Sequence, residues 1–294
     1  VQSDDIYAEL PEQPPAFNRA SSKNALEQTG VADLDSSNSL IQALYAIADP
    51  DLSEKCLALV GANNWENYLN RTSQFFSAHY DQYSQNRRYT PIYWPLQSAS
   101  GSYTLWVYYH RLNKQTLYTC VNDFLDGPTG KLTQVEQDLN TLKNLGTRST
   151  QEEKDLTQLT DFAAELKDFR DELLRHAKFW KPNLNDGVQI TAAPLWKLFQ
   201  HNAWQKKLKE TWEKLEEGDY DWAHLACSIW PERVLRKCHQ DRSLAIAHDV
   251  EDIFWHKVEV PVKSSKKIKT EWQPKSLTAA ELTELINQTI TNLK

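Results

Sequence analysis

Methionine is absent from this chain of 294 residues, and cysteine and glycine are scarce, at four and eight copies. Each shortage excludes something. Cys56, Cys120, Cys227 and Cys238 are too few and too scattered for a disulfide framework, which points to a reducing, cytoplasmic setting. No glycine-rich loop follows a strand pattern, so the sequence offers no ready cradle for a nucleotide or a methyl donor. No apolar run approaches the roughly 18 residues of a membrane span, and no charged-then-apolar signal segment opens the chain. A natural start carries methionine; with none anywhere, the chain reads as a piece of a longer protein.

Aromatic and charged residues, in contrast, are plentiful. Eleven tryptophans, twelve tyrosines and nine phenylalanines are enough to fill a core, which excludes wholesale disorder. A mean hydropathy of -0.66 with 25% charged residues predicts a soluble protein with no membrane partner. The net charge of -7 does not suit a protein that coats nucleic acid, but it is unevenly spread. Residues 1–60 hold ten acids against Arg19, Lys23 and Lys55, so the rest is balanced and leaves room for local basic faces.

Pattern and punctuation divide the chain into four regions. Residues 1–35, rich in Pro, Ser, Asn and acids, read as a linker or extended arm from a missing upstream domain. Residues 36–130 read as a helical and β-hairpin region. Leu40, Ile41, Leu44 and Ile47 mark one short helix, and Asp51 caps a second running to about Val60. Between Trp65 and Tyr83, aromatics recur at three- and four-residue steps, which predicts a long amphipathic helix. Residues 131–180 carry two apolar stripes, Leu132 to Leu142 and Leu156 to Leu173, joined by Gly146–Thr147–Arg148–Ser149. They predict an antiparallel helical hairpin, either a plain packing seam or a protruding arm that docks another domain or wraps DNA.

Residues 181–294 read as a mixed, mainly helical region. Val188–Gln189–Ile190 has the composition of a short strand, and Trp204, Leu208, Trp212 and Leu215 define a helix ended by Gly218. Pro231 suits the first turn of another helix. Residues 254–262 alternate as an edge strand, and Thr278 with Glu281 forms the capping box of a last helix. The expected fold class is α+β and predominantly α-helical: a helical body with an antiparallel helical hairpin, one β-hairpin and a few isolated strands.

Catalytic motifs are missing. There is no phosphate loop and no Asn-Pro-Pro-aromatic tetrapeptide, which adenine methylation uses to hold the amine towards the methyl donor. Asp51, Glu54 and Lys55 crowd into a predicted helix start, where acids simply favour the dipole. His224, Cys227, Cys238 and His239 are zinc-ligand types, but adjacent Cys238 and His239 point about 100° apart on a helix and do not converge. No catalytic, cofactor or metal residue is therefore assigned. Basic clusters remain: Arg87, Arg88, Arg111 and Lys114 around the hairpin, Lys206 and Lys207 (with Lys209) beside Trp204 and Trp212, and Lys263, Lys266, Lys267 and Lys269 before Trp272. A solvated face explains any one of them, and phosphate contact is the functional alternative. Trp196, Trp204 and Trp212 are core residues or stacking platforms for unpaired bases.

The richest stretch runs from Arg87–Arg88–Tyr89–Thr90–Pro91–Ile92–Tyr93–Trp94 through the turn Ser98–Ala99–Ser100–Gly101–Ser102 to Tyr103–Thr104–Leu105–Trp106–Val107–Tyr108–Tyr109–His110–Arg111. Strand formers flank a small-residue turn, which predicts a β-hairpin narrow enough to enter a major groove. Further blocks are Thr116–Leu117–Tyr118, Leu184–Asn185–Asp186–Gly187–Val188–Gln189–Ile190, Ala193–Pro194–Leu195, Asp221–Trp222–Ala223–His224–Leu225–Ala226, Trp230–Pro231–Glu232–Arg233–Val234 and Leu244–Ala245–Ile246–Ala247–His248. Together, across roughly residues 66–275, they resemble the C-terminal region of large adenine-specific DNA methyltransferases, of the BREX PglX and fused Type II restriction–modification kind.

The resemblance implies a non-catalytic C-terminal module that contributes DNA binding or target recognition, with S-adenosylmethionine bound by a catalytic domain upstream. Its partners would be double-stranded DNA, that upstream domain and other defence-system subunits. The alternative is an interaction scaffold that docks those proteins without touching DNA.

Overall fold

The computed structural model describes residues 30–33, 57–58, 63–64, 68–69, 72–84, 90–261 and 268–292. The helix expected over Leu40–Ile47 lies outside them, as do Arg87, Arg88, Lys263, Lys266 and Lys267. Of the second expected helix only Leu57 and Ala58 are described, and both are helical.

Three strands form the first sheet: β1 (Val31–Asp33), β2 (Tyr93–Gln97) and β3 (Thr104–Tyr108), antiparallel and in the order β1-β3-β2. Trp94 stands opposite Val107 and Leu96 opposite Leu105, while Val31 pairs with Val107 from the other side. Both faces are covered: Trp94, Leu96, Leu105, Trp106 and Val107 are all buried. This hairpin is therefore the centre of the N-terminal core and not an arm that enters a groove. Its uninterrupted run of large apolar residues is the pattern of a strand buried on both faces.

The aromatic helix before the hairpin carries a π-turn, Thr72–Phe76, and continues as α1 (Ser77–Ser84). After β3, α2 (Thr116–Asn122) leads to α3 (Lys131–Lys143) and α4 (Thr150–Ala177), the helical hairpin. Ser149 and Glu152 cap α4 reciprocally. In α4 the buried residues begin only at Ala163, so its first half extends past the core with α3 beside it.

The C-terminal region begins with α5 (Val188–Ala192) and a 3₁₀ turn, Ala193–Leu198, followed by α6 (Asn202–Glu217), which Gly218 ends in the left-handed conformation. Then come α7 (His224–Ile229), α8 (Pro231–Gln240), α9 (Arg242–Ala247) and α10 (Glu251–Phe254). A second antiparallel pair, β4 (Trp255–Pro261) with β5 (Ile268–Pro274), precedes α11 (Ala279–Asn292). The fold is α+β and mostly helical, as composition and periodicity predict.

Two local expectations are corrected. Val188–Gln189–Ile190 is helical and not a strand, because Gly187 turns the chain at φ +85° and the Thr191 hydroxyl and amide both donate back to its carbonyl. The amides and carbonyls of this segment are therefore paired locally and not across a sheet. The strand expected near 254–262 is not isolated: β5 pairs with it along its whole length, and Lys269 sits on that strand, opposite Val260. Ile268, Thr270 and Trp272 alternate with Lys269, Glu271 and Gln273, a period-2 pattern hidden by the run of lysines before it.

Candidate nucleic-acid interface

The blocks singled out in the C-terminal half meet in one buried polar network. Asp186 accepts hydrogen bonds from the His224 and Leu225 amides, both at 2.8 Å, and from the His224 ring Nδ1 at 2.9 Å. It thereby caps α7, whose own N-cap residue, Ala223, has no side-chain acceptor. Asp221 is equally buried and is gripped by Arg233 Nη2 and Lys237 Nζ, each at 2.6 Å. Arg233 also donates to the carbonyls of Leu215 and Glu216, closing the end of α6, and its guanidinium lies 4.4 Å from the centre of the Trp230 ring. His248 Nε2 donates to the Asp221 carbonyl at 2.6 Å, and burial lowers the pKa of that imidazole. A side chain at Gly218 would strike Lys237 and Asp221, so the turn after α6 and the network exclude each other's variation.

This arrangement fixes four short helices and leaves little for chemistry. Burial pushes the Cys227 and Cys238 thiols up to about 11 and about 12, so neither is a ready nucleophile at neutral pH. Cys120 is pushed up to about 12 in the same way. His239 donates to the Lys275 carbonyl, away from His224. Among the described residues no group of three or more His, Cys, Asp or Glu side chains is placed to hold a metal ion.

The basic residues lie on separate elements. Arg111 and Lys114 are exposed where the first hairpin ends. Lys206 is exposed on α6, while Lys207 lies half-buried with its amine 5.8 Å from the Trp204 ring centre. Lys269 is exposed on β5 and paired with Glu271 at 3.2 Å. Arg148, Arg170, Arg175, Arg233, Arg236 and Arg242 each face a carboxylate; among the described arginines, Arg111 alone does not. Lys114, Lys206 and Lys207 are likewise without an ion pair among the described residues.

Trp204, expected in the core or on a stacking platform, is fully buried. Trp196 and Trp212 are half-buried and line a cleft of about 580 Å³ together with Trp230, which packs on Trp212 at 5.5 Å between ring centres. Lys197 and Lys209 reach the same cleft, with amines 5.7 and 5.5 Å from the Trp196 ring centre. Lys197, Arg233 and His176 carry no functional signal of their own in the sequence. Lys197 follows the Ala193–Pro194–Leu195 block closely and Arg233 lies inside another, but nothing local marks Lys197 as part of a cleft or Arg233 as a partner of Asp221. No described helix is long and apolar enough to cross a membrane. No family model matches the chain, and no curated protein matches it.

Proposed function

We propose that this chain is a non-catalytic module of a SAM-dependent, adenine-specific DNA methyltransferase of phage defence or restriction–modification, and that it helps hold double-stranded DNA in the cytoplasm. The observation that carries DNA contact is the unpaired state of Arg111 and its neighbour Lys114 at the exposed end of the first sheet, in a protein whose other described arginines all face acids. A guanidinium left without a carboxylate on an exposed turn is free for phosphate, and such contacts give affinity without reading sequence. Lys206 and Lys207 stand on a separate element, α6, where Glu210 follows within a turn and limits the positive potential.

The methyltransferase part of the reading rests on the resemblance of the sequence blocks alone; in the fold several of those blocks meet around Asp186 and Asp221. Residue groups scattered over more than sixty positions serve one network, as expected of a single folding unit. S-adenosylmethionine is assigned to a catalytic domain outside these residues, because no glycine-rich loop and no Asn-Pro-Pro loop is present to receive it.

The experiment is a duplex-binding titration at several salt concentrations with the Arg111→Ala/Lys114→Ala variant. The expected result is weaker binding and a log–log salt slope reduced by about 0.9 for each phosphate that is no longer neutralised. A folded variant with unchanged affinity and slope would remove this surface from DNA.

A second reading, docking of the catalytic domain or other defence subunits, is favoured by the far end of the helical hairpin. There Leu142, Leu159 and Phe162 remain half-exposed in an open groove between α3 and α4. Failure of partners to co-purify with Phe162→Asp, with duplex binding intact, would favour it.

A further inference from the structure

We propose that the cleft bordered by Trp196, Trp212 and Trp230 binds a single unpaired nucleotide, its base laid against an indole face and its phosphate held by Lys197 and Lys209. This goes beyond duplex contact and does not depend on it, since bases inside a duplex are already stacked.

Three features lead there. The first is shape: about 580 Å³ lies within the range of roughly 300–1,000 Å³ typical of small-ligand sites, and its aromatic lining offers flat π surfaces. One face of Trp230 is already covered by the Arg233 guanidinium at 4.4 Å, which leaves Trp196 and Trp212 as the platforms.

The second is charge. Lys197 and Lys209 both hold their amines against Trp196, and neither has a carboxylate partner among the described residues. Two ammonium groups on one ring repel a cationic guest, so the cleft is no cage for a methylated amine, the usual ligand of clustered aromatic rings. They attract an anion instead. Arg175 also borders the cleft but is committed to Glu172, and Glu213 and Glu216 on its wall are exposed, where water and salt screen them.

The third is an unmet hydrogen bond. His176 lines the cleft and is 6% exposed. Its Nε2 donates to Glu172 Oε1 at 3.1 Å, which leaves Nδ1 of the neutral ring as an acceptor. Burial lowers the pKa of His176, with Glu172 opposing and Lys197 adding to the effect, so the neutral ring is favoured. Nδ1 has no hydrogen-bond partner among the described residues. Nδ1 is sealed from solvent as the ring stands; a buried acceptor left unmade is costly, and a turn of the ring towards the cleft lets an exocyclic amine of adenine or cytosine supply the missing N–H.

The test uses the whole chain and tryptophan fluorescence. A 5′-phosphorylated single-stranded hexamer of deoxyadenosine is titrated against the protein and against Lys197→Gln/Lys209→Gln, two exposed positions whose change leaves folding intact by thermal melting. The expected result is quenching by the hexamer, at least tenfold weaker in the double variant, with the salt slope lowered by about 0.7 for each phosphate set free. Adenosine monophosphate is titrated in parallel. Competition at similar concentration identifies a free nucleotide as the ligand, and failure to compete identifies a nucleic-acid strand. Absence of quenching by either, or equal binding by the double variant, overturns the proposal. Duplex affinity lowered only in the Arg111 and Lys114 variant would leave this cleft untouched, so the two readings fail separately.

Discussion

At the scale of single residues, two buried groups carry testable consequences. His79 is held inside the aromatic cluster, and its Nε2 accepts from the Ile92 and Tyr93 amides at 3.2 and 3.3 Å, joining α1 to β2. Burial lowers its pKa to about 4. A histidine with a depressed folded value binds its proton more tightly when unfolded. Its contribution is therefore complete above the unfolded value of about 6.5 and is lost as pH falls from there to about 4. We expect thermal stability to fall across that window, by an amount on the order of a few kcal/mol, and His79→Gln to flatten the fall. His176, His201 and His248 shift in the same direction, so the comparison must be made between variant and parent. Identical pH profiles for the two would sink the assignment. Asp221 is the other case. Asp221→Asn leaves Arg233 and Lys237 facing each other without their shared anion, while the shape is kept. Both cations remain partly solvated, at 28% and 45% exposure, so the expected loss is about 2 kcal/mol, below the ~3–5 of a fully enclosed pair. Urea unfolding measures it, and a change under about 0.5 kcal/mol would show that the network is not stabilising.

At the scale of elements, the first hairpin shows how a tertiary contact closes a turn. The Glu165 carboxylate on α4 receives the Ser100 amide and hydroxyl, both at 2.8 Å, and the Ser102 hydroxyl at 3.1 Å. Partial burial alone would raise the Glu165 pKa, but the serine donors outweigh it and the net shift is downward. The clamp is thus complete above the ordinary carboxylate range and weakens as pH falls through it. Its site is partly open to water, so Glu165→Ala should cost only about 1 kcal/mol. The loss should be concentrated in faster amide exchange of residues 98–103, and uniform exchange along the hairpin would argue that the tip is held by its own turn. A distant acceptor also completes α7. A helix of six residues with alanine at its N-cap would fray alone, and Asp186, 38 positions away from His224, supplies the acceptor.

At the scale of the whole molecule, the missing loops lead to a plain expectation: the chain neither binds S-adenosylmethionine nor methylates DNA by itself. Calorimetric titration with the methyl donor checks this, and stoichiometric heat would overturn the reading of the chain as a non-catalytic module. The sequence by itself determined the elements whose signals are local. The helix ended by Gly218, Pro231 at the start of α8, the Thr278–Glu281 capping box, the two apolar stripes of α3 and α4 and the Gly101 turn all follow from backbone preference and 3.6-residue periodicity. Tertiary structure alone decided which sides those elements show. The arginine-flanked hairpin could have been an exposed arm, but packing on both faces made it core, because a strand run of large apolar residues has no polar side to give to water. The candidate cleft was illegible for a related reason. Trp196, Trp212 and Trp230 stand on three different elements, and His176 ends a fourth, so no spacing in the chain encodes their meeting. Chain order sets what each helix is; the burial of their shared faces sets which side chains meet between them.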